Sequence, residues 1–155
     1  MPLEFHFVPL AQEPAASLEA AMRAEIGALY DDLDLTSEQM PAAGPRELGP
    51  PGGAFLVGFD EAGRPVACGG VKRLPDGTCE IKRMYVVPEA RGGGAGRELL
   101  VALEAAAREL GYTVARLDTG DRQPGAERLY RSAGYAPVAN FNGNPVATFF
   151  GEKRL

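Results

Sequence analysis

Six consecutive residues, Arg91-Gly92-Gly93-Gly94-Ala95-Gly96, separate a strand-like run, Glu80 to Val87, from a helical run that opens at Arg97-Glu98-Leu99-Leu100. A glycine-dense turn at a helix N-terminus points unpaired backbone N–H groups at any nearby anion. Glycine takes positive φ without a Cβ penalty and lets a pyrophosphate approach the amides closely, so a phosphate compound is the guest that suits this turn. A Walker A loop would need Lys and a hydroxyl after its last glycine, and here Arg97-Glu98 follow. A dinucleotide fingerprint, Gly-x-Gly-x-x-Gly, fails too, because counting from Gly92 puts Arg97 at the third glycine and counting from Gly94 puts Leu99 there.

The pattern that fits is Arg/Gln-x-x-Gly-x-Gly/Ala, with Arg91, Gly94 and Gly96 on its fixed positions, directly after a strand and before a helix. It resembles the acetyl-CoA pyrophosphate loop of the GNAT family of N-acetyltransferases; the bland alternative is an ordinary turn that opens a helix. The flanking segments extend the resemblance. Glu80-Ile81-Lys82-Arg83-Met84-Tyr85-Val86-Val87-Pro88 is similar to the family's central strand, whose bulge exposes backbone groups to the pantetheine arm and the acetyl oxygen. By that resemblance the groups belong to Met84, Tyr85 and Val86, while the amides of Gly92, Gly93, Gly94, Ala95 and Gly96 hold the pyrophosphate and Arg91 and Arg97 add charge.

Glu80 stands eleven positions before Arg91, where several members of the family place a glutamate that acts as general base. An amine arrives mostly protonated and must lose a proton before it attacks, so a carboxylate acting directly or through water suits the task. The competing reading is an exposed strand glutamate paired with Lys82 or Arg73. The segment Gln123 to Tyr135 resembles the family's Asn-x-x-Ala-x-x-Leu-Tyr-x-x-x-Gly-Phe, with Gln123 in place of the Asn and Tyr130 on the tyrosine. The resemblance sets Tyr130 beside the cofactor sulfur, where a phenol can protonate a departing thiolate; the alternative is a half-buried packing aromatic. Gln123 could still reach the pantetheine or the chain. The family moves acetyl directly from thioester to amine, so Cys68 and Cys79 are expected to be buried, inert thiols. His6 has no catalytic partner.

The elements that must position these groups follow from periodicity and turn chemistry. Leu3 to Leu10 reads as a strand, Glu13 to Tyr30 as an amphipathic helix through Leu18, Met22, Ile26 and Leu29, and Thr36 to Gln39 as the start of a short second helix. Pro41 to Gly53, rich in Pro and Gly, reads as a mobile loop with no core element. Strands follow at Ala54 to Phe59, Pro65 to Lys72 and Thr78 to Val87, the last two joined by the turn Leu74-Pro75-Asp76-Gly77. A helix with the stripe Leu99, Leu103, Ala106 and Leu110 ends at Gly111; then come a strand at Val114 to Thr119, a helix at Pro124 to Ser132 and a strand at Ala147 to Lys153. This order predicts a single α/β (α+β) domain over residues 1–155, a mixed, mostly antiparallel sheet of about six to seven strands with helices on both faces, as in the GNAT fold.

Composition narrows the function. The net charge of −5, from 21 acidic against 16 basic residues, argues against a broad nucleic-acid face. No apolar run approaches a membrane span, and the N-terminus lacks a signal-peptide pattern, so the expectation is a cytoplasmic protein. Two cysteines and one histidine support neither a disulfide framework nor a metal site. The resemblance implies an acetyl-CoA-dependent N-acetyltransferase, with acetyl-CoA as co-substrate and a small-molecule or peptide amine as acceptor; dimers are frequent among similar proteins, so a homodimer is one expected assembly. The rival readings are a catalytically silent CoA-binding sensor or interaction module, and a structural domain whose turn binds nothing. Residues Ile26 to Gly53 and the last strands are expected to line the acceptor site. There Asp31, Asp32 and Asp34 could attract a polyamine-like cation or form a solvated helix end.

Overall fold

The computed structural model describes residues 2–155. In chain order the elements are β1 (Glu4–Phe7), α1 (Ala15–Leu29), β2 (Ala54–Phe59), β3 (Pro65–Arg73), β4 (Thr78–Val86), a 3₁₀ turn (Pro88–Ala90), α2 (Ala95–Glu109), β5 (Val114–Thr119), α3 (Pro124–Ser132), β6 (Ala136–Pro137) and β7 (Phe149–Arg154). The strands form one seven-stranded sheet in the order β1-β2-β3-β4-β5-β7-β6. Only β4 and β5 run parallel, joined by the crossover through α2. The expected mixed sheet is therefore present, with one addition, the short β6, which carries too few residues to show a period.

Helices cover both faces, which is why β2 and β3 read as nearly continuous apolar runs with no alternation. On one face Leu99, Leu100, Leu103 and Ala107 of α2 pack with Ile81, Leu117, Tyr130 and Phe149. On the other, Ala15 and Leu18 of α1 pack with Phe55, Val57 and Cys68. Leu110, expected on the buried stripe of α2, is the residue that ends the helix and is exposed; Ala107 fills the inward position.

Two sequence expectations between α1 and β2 need correction. Thr36 to Gln39 forms turns and not a helix, because the Asp34 carboxylate accepts both the N–H and the hydroxyl of Thr36 and gives the backbone a local alternative to helical bonding. The Pro41 to Gly53 segment is irregular but does contribute to the core: Ala43 and Leu48 are buried in the α1-side cluster. Prolines and glycines stop regular hydrogen bonding there without preventing burial of a leucine. The β3–β4 turn follows its sequence signal, with Asp76 at φ 61° and Gly77 at φ 71°.

One buried charge cluster ties α2 to the last strand. Glu104, 4% exposed, accepts the Tyr135 hydroxyl at 2.8 Å and the Lys153 ammonium at 3.0 and 3.1 Å. Glu104→Ala leaves both donors without their acceptor and should cost about 2–3 kcal/mol. The urea midpoint measures this, and a loss below about 0.5 kcal/mol, the range of ordinary surface substitutions, would show that the cluster does not hold the two elements together.

Candidate active site

The parallel strands part early. β4 pairs with β5 only through Thr78, Cys79 and Glu80, opposite Val114, Ala115 and Arg116. Beyond that point β5 continues against β7 and β4 continues against β3, leaving a cleft between them. The cause is written in the β3–β4 register. Gly70 stands opposite Lys82 and Cys68 opposite Tyr85, so three steps on β4 match two on β3. The surplus residue is a bulge at Arg83, which sits at φ 59°. A bulge bends its strand and raises the local twist, and a bulky residue at positive φ costs about 1–3 kcal/mol.

Past the bulge, alternation sorts the residues expected to meet a cofactor. The Val87 N–H donates to the Val66 carbonyl, so Val87 and Tyr85 turn their main-chain groups toward β3. Met84 and Val86 turn theirs toward the cleft. The Val86 carbonyl accepts Arg91 Nε at 2.8 Å.

The glycine turn stands at the end of this strand. Gly92 and Gly94 adopt φ of 88° and 89°, and Gly94 is the N-cap of α2. A Cβ built on Gly92, Gly93 or Gly94 would meet nothing within 4 Å, so the turn faces open space. The first α-helical bond runs from Glu98 N–H to the Gly94 carbonyl, which leaves the N–H groups of Ala95, Gly96 and Arg97 without intrahelical partners. Both flanking arginines are engaged by the protein: Arg91 Nη2 binds the Glu25 carboxylate of α1 at 2.9 and 3.0 Å, and Arg97 donates to Ser132 Oγ.

Tyr130 lies in α3, 8% exposed, and its hydroxyl donates only to the thioether of Met84, at 3.7 Å. A thioether is a weak acceptor. Burial first, and the Asp118 charge second, push the phenol well above its ordinary value. It therefore keeps its proton throughout the neutral and mildly alkaline range.

Glu80 is wholly buried and is not the exposed strand residue of the simpler reading, although its pairing with Lys82 is present. Its Oε2 accepts Lys82 Nζ at 3.0 Å and Asn142 Nδ2 at 2.7 Å, while Oε1 has no partner. The same Asn142 amide donates to Asp118 Oδ2 at 2.7 Å, and Asn144 Nδ2 adds a bond of 3.1 Å. Asn142 thus bridges two carboxylates from neighbouring strands. Sequence reading missed Asp118, Asn142 and Asn144 as site residues. The Asn142-Gly143-Asn144-Pro145 run looks like a turn, and its contacts lie 62 and 24 positions away in Glu80 and Asp118.

A pocket lies in the cleft between α1, the segment after it, the ends of β4 and β5, and α3. Tyr130, Met84, Asp118 and Gln123 line it, as do Ile26 and Tyr30 from the region expected to meet an acceptor. Gln123 Oε1 accepts the Tyr30 hydroxyl at 3.3 Å, so its amide is bonded to the chain. Gly120 allows this seat, because a Cβ there would fall 2.0 Å from the Tyr30 hydroxyl. Asp31, Asp32 and Asp34 lie outside the pocket: all three are exposed, and Asp31 pairs with Arg122 at 3.4 Å. Among the described residues no group of three His, Cys, Asp or Glu is placed to hold a metal, and no helix is long and apolar enough to cross a membrane.

Residues 18–135 match the model of the Acetyltransferase (GNAT) family. The chain belongs to that family. An uncharacterized N-acetyltransferase of Schizosaccharomyces pombe is 38% identical over 118 residues, covering 74% of this chain and 72% of the relative. The structure of an acyl-CoA N-acyltransferase of Klebsiella pneumoniae superposes with a TM-score of 0.76 at 30% identity, over 99% of this chain and 97% of that one. A GNAT acetyltransferase of Elizabethkingia anophelis with acetyl-CoA bound shares the fold, with a TM-score of 0.70 at 16% identity over 99% and 98% of the two chains. The protein is thus a GNAT acetyltransferase, and its sheet is the family's sheet.

The two cysteines stand apart from this chemistry. Cys68 and Cys79 are both fully buried, and burial pushes each thiol up to about 12. Both therefore stay protonated at pH 8, and the thiolate is the reactive form. A disulfide reagent such as DTNB should leave both unmodified in the native protein and titrate both in denaturant. Fast native labelling of Cys79 would instead argue for a reactive thiol and a covalent route through it.

Proposed function

We propose that this GNAT acetyltransferase transfers the acetyl group of acetyl-CoA directly to a primary amine of a small molecule or peptide. The observation that carries the reading is the arrangement of the cleft: an open β4 edge leads into a turn of unpaired amides, with a buried phenol beside it. The fit to acetyl-CoA rests on that turn. Gly92 to Gly94 leave room for an anion at the helix N-terminus, and the bound relative from Elizabethkingia anophelis supports the same co-substrate. When bound, acetyl-CoA supplies an activated acetyl group and a thiol leaving group.

In this reading the amides of Gly92 to Gly96 bind the pyrophosphate, with Arg97 adding charge. Arg91 serves the same end if it exchanges Glu25 for the phosphates, which would also release the Val86 carbonyl to the pantetheine arm. The Met84 N–H, turned to the cleft by the bulge, is the preorganised donor for the acetyl oxygen, and Tyr85 supports it from the β3 side. Glu80 takes the amine proton, through water, on its unpartnered Oε1. Tyr130 donates its proton to the departing sulfur. The weak bond to Met84 leaves that hydroxyl free to serve a better acceptor, and burial keeps the phenol protonated.

Tyr130→Phe should lower kcat by roughly a hundredfold, the scale of a positioned acid, while leaving acetyl-CoA affinity nearly unchanged. Free-thiol release with an amine library measures the first, and calorimetry with acetyl-CoA the second. Parent and variant turning over equally across pH would remove the acid role. Acetyl-CoA binding with no thiol release from any amine would favour the silent CoA-binding module.

A further inference from the structure

Arg83 is a buried guanidinium with too few acceptors. Its side chain is 7% exposed, and its Nε forms an ion pair with Glu19 Oε2 at 3.5 Å but no hydrogen bond to any of the described residues. Glu19 is committed elsewhere, since both of its oxygens accept Arg23 Nε, at 2.8 and 3.0 Å. The one hydrogen bond its guanidinium makes among the described residues, Nη2 to the Leu35 carbonyl, is long at 3.5 Å. A guanidinium carries five N–H donors in a planar fork, and burying it with one marginal bond is costly unless an anion completes it. Burial indeed works against its charge more than any other influence.

Arg83 borders two pockets, one with Glu19 and Arg23 on its wall and the other the pocket of the candidate site, where the anion is placed by what faces Arg83 there. Arg83 and Asp118 line the same pocket as Tyr130. The Asp118 carboxylate is the complement of the guanidinium: Oδ2 accepts only the neutral amides of Asn142 and Asn144, so among the described residues its charge meets no ammonium or guanidinium. The remaining charged group on the wall, Lys82, is already bonded to Glu80. The pocket therefore offers one cation short of acceptors and one anion without a cation. A simple polyamine would answer the second and leave the first bare.

We infer that the acceptor is a zwitterion, a carboxylate-bearing amine of the amino acid class, whose carboxylate is held by Arg83 and whose ammonium is drawn to Asp118 before it is deprotonated. The planar carboxylate matches the guanidinium fork. This rests on the acetyl-transfer reading above and adds the substrate class to it. It also gives the bulge a second use: the surplus residue that opens the cleft puts Lys82 and Arg83 in succession along its α1 side, and only the second is left short of partners.

The test compares matched amines in the thiol-release assay: L-phenylalanine with phenethylamine, L-lysine with cadaverine, and each amino acid with its methyl ester. For at least one pair, kcat/KM should favour the free carboxylate by about tenfold or more, the scale of a charge-assisted hydrogen bond lost. Arg83→Asn, chosen because Asn tolerates positive φ, should bring that ratio close to one. Arg83→Lys, which keeps a cation without the fork, should retain part of it. Calorimetry with acetyl-CoA checks that each variant is folded. A residue with only a structural role would lower both members of a pair together and leave the ratio intact. Preference for the decarboxylated or esterified partner, or a ratio that survives Arg83→Asn, overturns the inference while acetyl transfer stands. Failure to acetylate any amine despite acetyl-CoA binding removes the acetyl-transfer reading and this one with it.

Discussion

Between the Lys82–Gly70 and Tyr85–Cys68 pairs, β4 carries one more residue than β3, and Arg83 absorbs the difference at φ 59°. The rest of the site depends on that mismatch. It bends β4 away from β5 after only three parallel pairs, and it turns the polar groups of Met84 and Val86 into the gap. The strain, about 1–3 kcal/mol, persists because both neighbours over-determine it. β3 holds Tyr85 and Val87 in register on one side of the bulge, and the tight Asp76-Gly77 turn fixes the register on the other.

The cleft that results is walled by charge as well as by apolar packing. Lys82, Arg83 and Asp118 line it from two strands, with the wholly buried Glu80 bonded to Lys82, and each is partly or wholly out of water. A buried charge is tolerated when it is paired and bonded. Glu80 meets that condition at Oε2, through Lys82 and Asn142, but not at Oε1, and Arg83 and Asp118 also meet it only in part. The inequality is informative: Arg83 has the Glu19 carboxylate at 3.5 Å but no hydrogen bond to it, and Asp118 is held by neutral amides alone. The contrast with Glu104, whose two donors complete it, shows what a purely structural buried carboxylate looks like in this fold.

Much of the architecture was legible because it rests on local rules. The β5 and α3 boundaries agree with the sequence reading residue for residue, since Gly111 and Pro124 punctuate the chain and the periods between them are clear. The glycine turn could be read for the same reason: left-handed φ at Gly92 and Gly94 and free amides at the start of α2 are properties of a short segment. The errors fell where local and global demands conflict. Thr36 to Gln39 scored as a helix start and lost to the Asp34 side chain, and Pro41 to Gly53 scored as a loop while Leu48 was being drawn into the core.

The sequence by itself determined the order of elements, the glycine turn at the start of α2 and the placement of Tyr130 on a helix after the crossover. The tertiary structure decided which charges are satisfied. That Glu80 is buried, that Asn142 spans it and Asp118, that Arg91 rests on Glu25, and that Arg83 meets only Leu35 and Glu19 depend on residues as many as 66 positions apart. No periodicity or spacing encodes them, because hydrogen-bond satisfaction is a property of the atoms that the fold brings within about 3 Å of one another.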